Sequence, residues 1–128
     1  ISHVKPEFKY GDSRLDFYLE GDSRKVLVEV KGVTLEEEGV ALFPDAPTER
    51  GIRHLRHLCL ALKEGYEAYM FFIVQMGDVL YFAPNHKNHA AFGRALKGAQ
   101  TKGVKILALE CQVETDSIRA RKWVNVKL

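Results

Sequence analysis

The feature that most constrains the fold is the run EAYMFFIVQM at residues 67–76. The run is almost continuously apolar and rich in aromatic and β-branched residues, which is typical of a strand covered on both of its faces. Such a strand cannot stand alone, because its side chains need other elements to cover them. The run therefore predicts a sheet strand that other parts of the chain must cover.

The segment that precedes this run predicts how the sheet begins. Residues 13–20 and 25–33 alternate like strands, and the sequence EGDSRK between them has turn chemistry, so we expect a β-hairpin. Residues 48–64 show helical spacing of apolar side chains. A helix of this length allows the strand at 26–32 to pair in parallel with the strand at 68–75.

The remaining segments complete a mixed α/β pattern. Residues 35–47, with two prolines, a glycine and an acidic run, are predicted to be a loop. Residues 78–84 are predicted to form a hairpin with the central run, and residues 89–103 a second helix. Strands are predicted at 104–113 and 122–128. The order β-β-α-β-β-α-β-β implies one domain with a mixed central β-sheet flanked by helices.

Composition narrows the class of protein. The chain has 128 residues, is 46% hydrophobic and carries a net charge of +2 from 19 basic and 17 acidic residues. This balance excludes a strongly basic nucleic-acid binder, so any basic surface must be local. The longest apolar run is too short to span a bilayer, and two cysteines in apolar contexts favour a reducing compartment. We therefore expect a cytoplasmic protein without membrane contact, of undetermined oligomeric state.

Three charged residues in the hairpin carry the candidate chemistry. Strand alternation places Arg14, Asp16 and Tyr18 on one face of the first strand. It places Glu29 and Lys31 together on the second strand, so a matching register brings both acids and the lysine together. Adjacent carboxylates repel unless a cation lies between them, and Mg²⁺ prefers such oxygen ligands. The alternative from spacing alone is a set of solvated charges on an exposed face.

A second group of residues lies on the first helix. Arg50, Arg53, His54 and His57 are predicted to share the face opposite to the apolar one. Such a basic face fits contact with a phosphate backbone, and it equally fits a solvated helix surface. Both interpretations stay open from the pattern alone.

Longer motifs resemble a known family. The segments VEVKGVTL and GVALFPDAPTERGIRHLRHL, together with EFKYGDSRLDF upstream, resemble the sugar fermentation stimulation protein A (SfsA) family. The likeness continues more loosely through MFFIVQM and GVKILAL. In that family the C-terminal domain is similar to PD-(D/E)xK nucleases, of restriction-endonuclease-like fold. An N-terminal OB-like domain of the family is absent from these 128 residues, so we expect the chain to be the C-terminal part of a longer protein.

The resemblance also implies roles for individual residues. Asp16 would be the hairpin acid, Glu29 the second acid and Lys31 the basic partner, with Glu7 as an upstream glutamate of the catalytic set. Asp16 and Glu29 would hold Mg²⁺ or Mn²⁺ for hydrolysis of phosphodiester bonds in nucleic acid, in the first instance DNA. The alternative is a non-catalytic, non-specific DNA-binding regulatory factor in sugar (maltose) metabolism.

Overall fold

Two β-sheets and two helices make up the computed structural model, which describes residues 3–128. In chain order the elements are β1 His3–Tyr10, β2 Ser13–Gly21, β3 Arg24–Val33, β4 Leu35–Glu37, β5 Val40–Phe43, α1 Glu49–Lys63, β6 Glu67–Val74, β7 Tyr81–Pro84, α2 His86–Lys102, β8 Lys105–Val113 and β9 Ile118–Val124. The larger sheet has the strand order β1-β2-β3-β6-β8-β9, and the smaller has the order β4-β5-β7.

The large sheet is mixed, as the sequence predicts. β1, β2 and β3 run antiparallel, β3, β6 and β8 run parallel, and β9 returns antiparallel to β8. The parallel pairing of β3 with β6 through α1 is confirmed, with Val26 opposite Glu67 and Val33 opposite Val74. Crossovers through helices are what parallel neighbours require. An α/β fold with a mixed sheet flanked by two helices is thus established.

The core lies between this sheet and the two helices, which pack against each other. Leu27 and Phe72 from the sheet, Leu55 and Leu58 from α1, and Phe92 from α2 are all fully buried there. Each such side chain stabilises the fold by about 1.5–3 kcal/mol through removal of apolar surface from water. This packing places α1 over β6, β3 and β2, and so determines which residues of α1 face the hairpin.

The opposite face of the large sheet is less covered than the sequence suggests. In β6, the even-numbered residues from Ala68 to Val74 are buried, whereas the odd-numbered residues are only half-buried. Tyr69 and Phe71 stack along this outer face, and Trp123 on β9 is exposed beside Phe71. The prediction of a strand covered on both faces is therefore correct for one face and wrong for the other.

The small sheet replaces the loop predicted at 35–47. Glu38 and Gly39 both have positive φ and make the tight turn between β4 and β5. β7 pairs in parallel with β5 and not as a hairpin with β6, so the predicted hairpin at 78–84 is wrong. Phe82 of β7 stacks on Phe72 of β6 with ring centroids 4.3 Å apart, so β7 packs against the large sheet although it belongs to the small one.

Smaller differences occur at the ends of elements. Residues 3–10 form β1, an element that the sequence patterns do not predict, and its position at the sheet edge tolerates Pro6, which has no amide proton. α2 begins at His86, three residues before its predicted start. The final strand ends at Val124 instead of Leu128. Both cysteines are free, and no helix within residues 3–128 is long and apolar enough to cross a membrane.

Candidate functional site

The candidate site lies where the backbone ladder between β2 and β3 stops. The last paired residues are Phe17 and Val28, so the next position along the register holds Asp16 and Glu29. There the Asp16 amide donates to Glu29 Oε1 at 3.1 Å, and the Val30 amide donates to Asp16 Oδ2 at 2.8 Å. Carboxylate oxygens thus replace backbone carbonyls as acceptors, and the structure brings together the two acids that strand alternation places on one side.

Glu29 is the more enclosed of the two acids, with 3% of its surface exposed. Its Oε2 lies 2.8 Å from His54 Nδ1 and 3.2 Å from Lys31 Nζ. Burial by itself raises the pKa of Glu29, but the His54 hydrogen bond and the charges of Lys31 and His54 outweigh it, so the pKa of Glu29 is lowered. Glu29 is therefore held as an ionised carboxylate inside the protein.

Asp16 shows the opposite balance. Burial is the largest cause that raises the pKa of Asp16, and the neighbouring Glu29 charge raises it further. The Val30 amide and the Lys31 charge oppose the rise without cancelling it. Within residues 3–128, nothing donates a hydrogen bond to Asp16 Oδ1. The two carboxylates therefore repel each other, and the Lys31 charge offsets this repulsion only in part.

A divalent cation fits these properties. It would favour the charged form of Asp16, whose pKa is raised by burial and by the Glu29 charge. In residues 3–128, no group of three or more His, Cys, Asp or Glu side chains forms a ligand set, so the protein alone does not complete a coordination shell. Mg²⁺ commonly uses one or two carboxylates and fills its other positions with water and substrate oxygens. The residues present fit an open site of that kind.

The two histidines of α1 are not on the exposed face where the sequence places them. His54 is 1% exposed and His57 is 7% exposed, so this part of the predicted basic face is wrong. Thr48 caps the helix by accepting from the Gly51 amide at 2.9 Å. Both histidines lie on the side of α1 that contacts β2 and β3. Buried imidazoles need polar partners, and the hairpin supplies them.

The partners of these histidines give each a separate role. His54 lies 2.8 Å from Glu29 Oε2 and 3.0 Å from Lys31 Nζ, so it belongs to the acidic site. An ionised carboxylate only accepts and an ammonium only donates, so a hydrogen bond from Nδ1 to Glu29 requires the ring form with a proton on Nδ1, and in that form the Lys31 contact is not a hydrogen bond. His57 Nδ1 contacts Ser13 Oγ, and its Nε2 lies 2.9 Å from Asp12 Oδ1, which fastens the β1–β2 turn to α1.

Beside the acids, a cleft of about 470 Å³ opens between the hairpin and α1. It is lined by Lys9, Asp12, Ser13, Arg14, Arg50, Arg53 and His54. Arg50 is exposed and Arg53 is half-buried, and both belong to the predicted basic face. Arg53 Nε is buried and has no hydrogen-bond partner among the described residues. The two arginines of the predicted face thus line a cleft next to the acids.

Glu7 lies across the β1–β2 pair from the site. The register on either side places it opposite Asp16, and its positive φ of 54° interrupts the ladder there. Its side chain is exposed, and no hydrogen bond or ion pair in residues 3–128 joins it to Asp16 or Glu29. The burial pattern of β2 changes phase at this point: Leu15 is buried and Phe17 is exposed, although alternation predicts one face for both.

Comparisons with known proteins agree with this architecture. Residues 1–117 match the family described as "Sugar fermentation stimulation protein RE domain". A "Sugar fermentation stimulation protein homolog" of Desulfitobacterium hafniense strain Y51 is 62% identical over all 128 residues, which cover 56% of that protein. The homolog of Ruminiclostridium cellulolyticum is 55% identical over the same 128 residues, 57% of its length.

A solved structure is also similar, described as "The structure of Pyrococcus Furiosus SfsA in complex with Ca2+". It superimposes with a TM-score of 0.89 at 34% identity, over 97% of this chain and 54% of that chain. The chain thus spans a little over half the length of the relatives that it matches. On its sequence and its fold, the chain belongs to the sugar fermentation stimulation protein family.

Proposed function

We propose that this domain is a PD-(D/E)xK nuclease-like module that binds a divalent metal ion at Asp16 and Glu29 and hydrolyses phosphodiester bonds in nucleic acid. The observation that carries the proposal is the meeting of two carboxylates where the β2–β3 ladder stops. One of them has a raised pKa, and the other is kept ionised. Lys31 beside them completes the acid-x-lysine order on β3.

A related structure supports the choice of metal. The SfsA of Pyrococcus furiosus was solved in complex with Ca²⁺, and this chain is 34% identical to it. Ca²⁺ and Mg²⁺ are both hard cations that prefer oxygen ligands, and carboxylates are common among them. Asp16 and Glu29 would hold the ion here, and Mg²⁺ or Mn²⁺ would be the catalytic form.

Each residue of the site has a part in the proposed reaction. The metal ion, when bound, would polarise the phosphate and lower the pKa of an attacking water molecule. Lys31, with a side chain only 13% exposed, would orient that water or stabilise charge that develops on the phosphate. His54 would keep the Glu29 carboxylate ionised and fixed in orientation. Arg50 and Arg53 would hold the backbone of the nucleic acid.

The test is a cleavage assay with matched carboxylate variants. Single- and double-stranded DNA and RNA are incubated with Mn²⁺ or Mg²⁺, using the wild type, Asp16→Asn and Glu110→Gln. Glu110 is a buried glutamate of β8 outside the site, so its variant controls for the loss of a buried charge. We expect cleavage by the wild type and Glu110→Gln only. Equal cleavage by Asp16→Asn would contradict the proposed site.

A non-catalytic DNA-binding regulator is the second candidate function. It is favoured by one feature of the site, because both Glu29 oxygens already accept hydrogen bonds or lie against cations. The relatives are also named for stimulation of sugar fermentation, not for hydrolysis. This candidate predicts salt-dependent DNA binding with no cleavage of any substrate. The same assay therefore separates the two functions.

A further inference from the structure

We infer that the cleft lined by Lys9, Arg14, Arg50 and Arg53 is a subsite for the terminal phosphate of a nucleic-acid strand. The inference rests on the proposed function and makes its substrate more specific. It directs the domain toward strand ends that carry a phosphate monoester, in preference to internal positions of a strand.

The charge of the cleft is the first observation. Four basic side chains from β1, β2 and α1 line it, and of the lining residues Asp12 alone is acidic. Asp12 Oδ1 lies 2.9 Å from His57 Nε2, so this carboxylate already has a hydrogen-bond partner. A phosphodiester carries one negative charge, whereas a phosphate monoester carries about −1.5 to −2 near neutral pH. The surplus of cations therefore matches a monoester better than a diester.

The second observation is a donor without an acceptor. Arg53 lines the cleft, and its Nε is buried with no partner among the described residues. A buried donor of this kind destabilises the protein unless something accepts a hydrogen bond from it. A guanidinium fork matches two oxygens of a phosphate group, so a bound phosphate would satisfy Arg53.

The lining also indicates what the cleft does not recognise. None of the seven lining residues is Phe, Tyr or Trp, and the His54 imidazole is only 1% exposed and is held by Glu29, so the cleft offers no open aromatic face on which a base could stack. Its volume of about 470 Å³ is sufficient for a phosphate with its attached sugar. The subsite therefore recognises the phosphate group by its charge, and binding does not depend on the base sequence.

Position links the subsite to the acidic pair. Arg14 is two residues from Asp16 on β2, roughly 7 Å along the strand. His54 lines the cleft and also contacts Glu29. A strand whose terminal phosphate sits in the cleft would therefore bring a nearby phosphodiester to Asp16 and Glu29. Such an arrangement favours shortening from an end over internal cutting.

The test measures binding without metal, so it does not depend on catalysis. Affinities are measured in EDTA for one oligonucleotide sequence with a 5′-phosphate, with a 3′-phosphate or with hydroxyl ends. We expect one phosphorylated end to bind about 10-fold more tightly than the hydroxyl form, which is the size expected for a charged hydrogen bond. Arg53→Gln should remove this preference. Arg50→Gln, at an exposed position, should reduce it if Arg53→Gln fails to fold.

The matched control is Arg56→Gln on the same helix, because Arg56 is exposed and lines a different groove. It should keep the full preference. Equal affinity for all three ends, or a preference that survives in both Arg53→Gln and Arg50→Gln, would overturn the inference. A deoxynucleoside monophosphate that binds as tightly as the phosphorylated strand would overturn the assignment to strand ends. Loss of cleavage with a retained end preference would reject only the proposed catalysis.

Discussion

Two buried glutamates, Glu29 on β3 and Glu110 on β8, show how similar burial can serve different purposes. Glu29 is 3% exposed and Glu110 is 0% exposed, and both belong to parallel strands of the large sheet. Each accepts a hydrogen bond from a backbone amide, of Asp16 in one case and of Asp78 in the other. Burial alone therefore does not distinguish a chemical site from a structural one.

The difference lies in their neighbours. Glu110 lies 3.6 Å from Arg121 and 3.9 Å from Lys122, two cations that are each about half exposed. Glu29 has Lys31 and His54, both enclosed, and a second carboxylate at its side. Glu110 thus ties β9 and the Asp78 turn to β8. Glu29 lies beside Asp16, and its charge raises the pKa of that neighbour.

The largest effect should come from removing the partner carboxylate. Asp16→Asn keeps an acceptor for the Val30 amide but removes one of two charged ligands, so we expect at least a 100-fold loss of Mn²⁺ or Ca²⁺ affinity by calorimetry. Glu110→Gln removes a buried charge outside the pair and should leave the affinity unchanged. An equal loss in both variants would mean that overall charge, and not the pair, determines binding.

A smaller loss should follow from the residue behind the pair. His54→Gln removes the imidazole whose Nδ1 lies 2.8 Å from Glu29 Oε2, without removing a metal ligand. Groups that orient a ligand typically contribute 10- to 100-fold to metal affinity, and we expect about 10-fold here. His57→Gln is the control on the same helix, because His57 contacts Ser13 and Asp12 instead. A comparable loss of affinity in the control would assign the effect to a displaced α1.

Sequence patterns predict the acids of this site better than the residues that support them. Asp16 and Glu29 follow from hairpin alternation, since a register that pairs the strands places them side by side. The burial of His54 cannot be predicted in this way. A polar residue in a helix is predicted to be exposed unless its partner on another element, here Glu29, is known. β4 and β5, at three and four residues, are too short to show a period. The interruption of the β1–β2 ladder opposite Asp16 coincides with a positive φ at Glu7, a conformation that is uncommon for a residue other than glycine and that the sequence therefore does not predict.

Stability should separate the two glutamates in a further way. Glu29→Gln leaves Lys31, 13% exposed, without its carboxylate, and we expect a loss of about 2 kcal/mol in the free energy of unfolding. Relief of the repulsion with Asp16 makes this less than the usual cost of breaking a buried ion pair. Glu110→Gln should lose less than about 1 kcal/mol, because Arg121 and Lys122 can reach water. Urea denaturation in EDTA measures both, and equal losses would show that exposure of the partner cations is irrelevant.

The smallest effect, a shift of about 2 °C in the melting temperature, concerns the pH dependence of the metal-free protein. The pKa of Asp16 is raised in the folded state, so its contribution to stability is complete at low pH and is lost as the pH rises through that raised value. The pKa of Glu29 is lowered, so its contribution is present at neutral pH and is lost only as the pH falls through that lowered value.

Asp16→Asn removes the pH dependence that comes from Asp16 and keeps the one that comes from Glu29. In EDTA at pH 7 this variant should therefore melt slightly above the wild type, and the difference should shrink as the pH falls toward 4. Saturating Ca²⁺ should reverse the order of the two melting temperatures, because only the wild type gains stability from binding the ion. If the difference between the two melting temperatures changed with neither pH nor Ca²⁺, the proposed distinction between the Asp16–Glu29 pair and Glu110 would be contradicted.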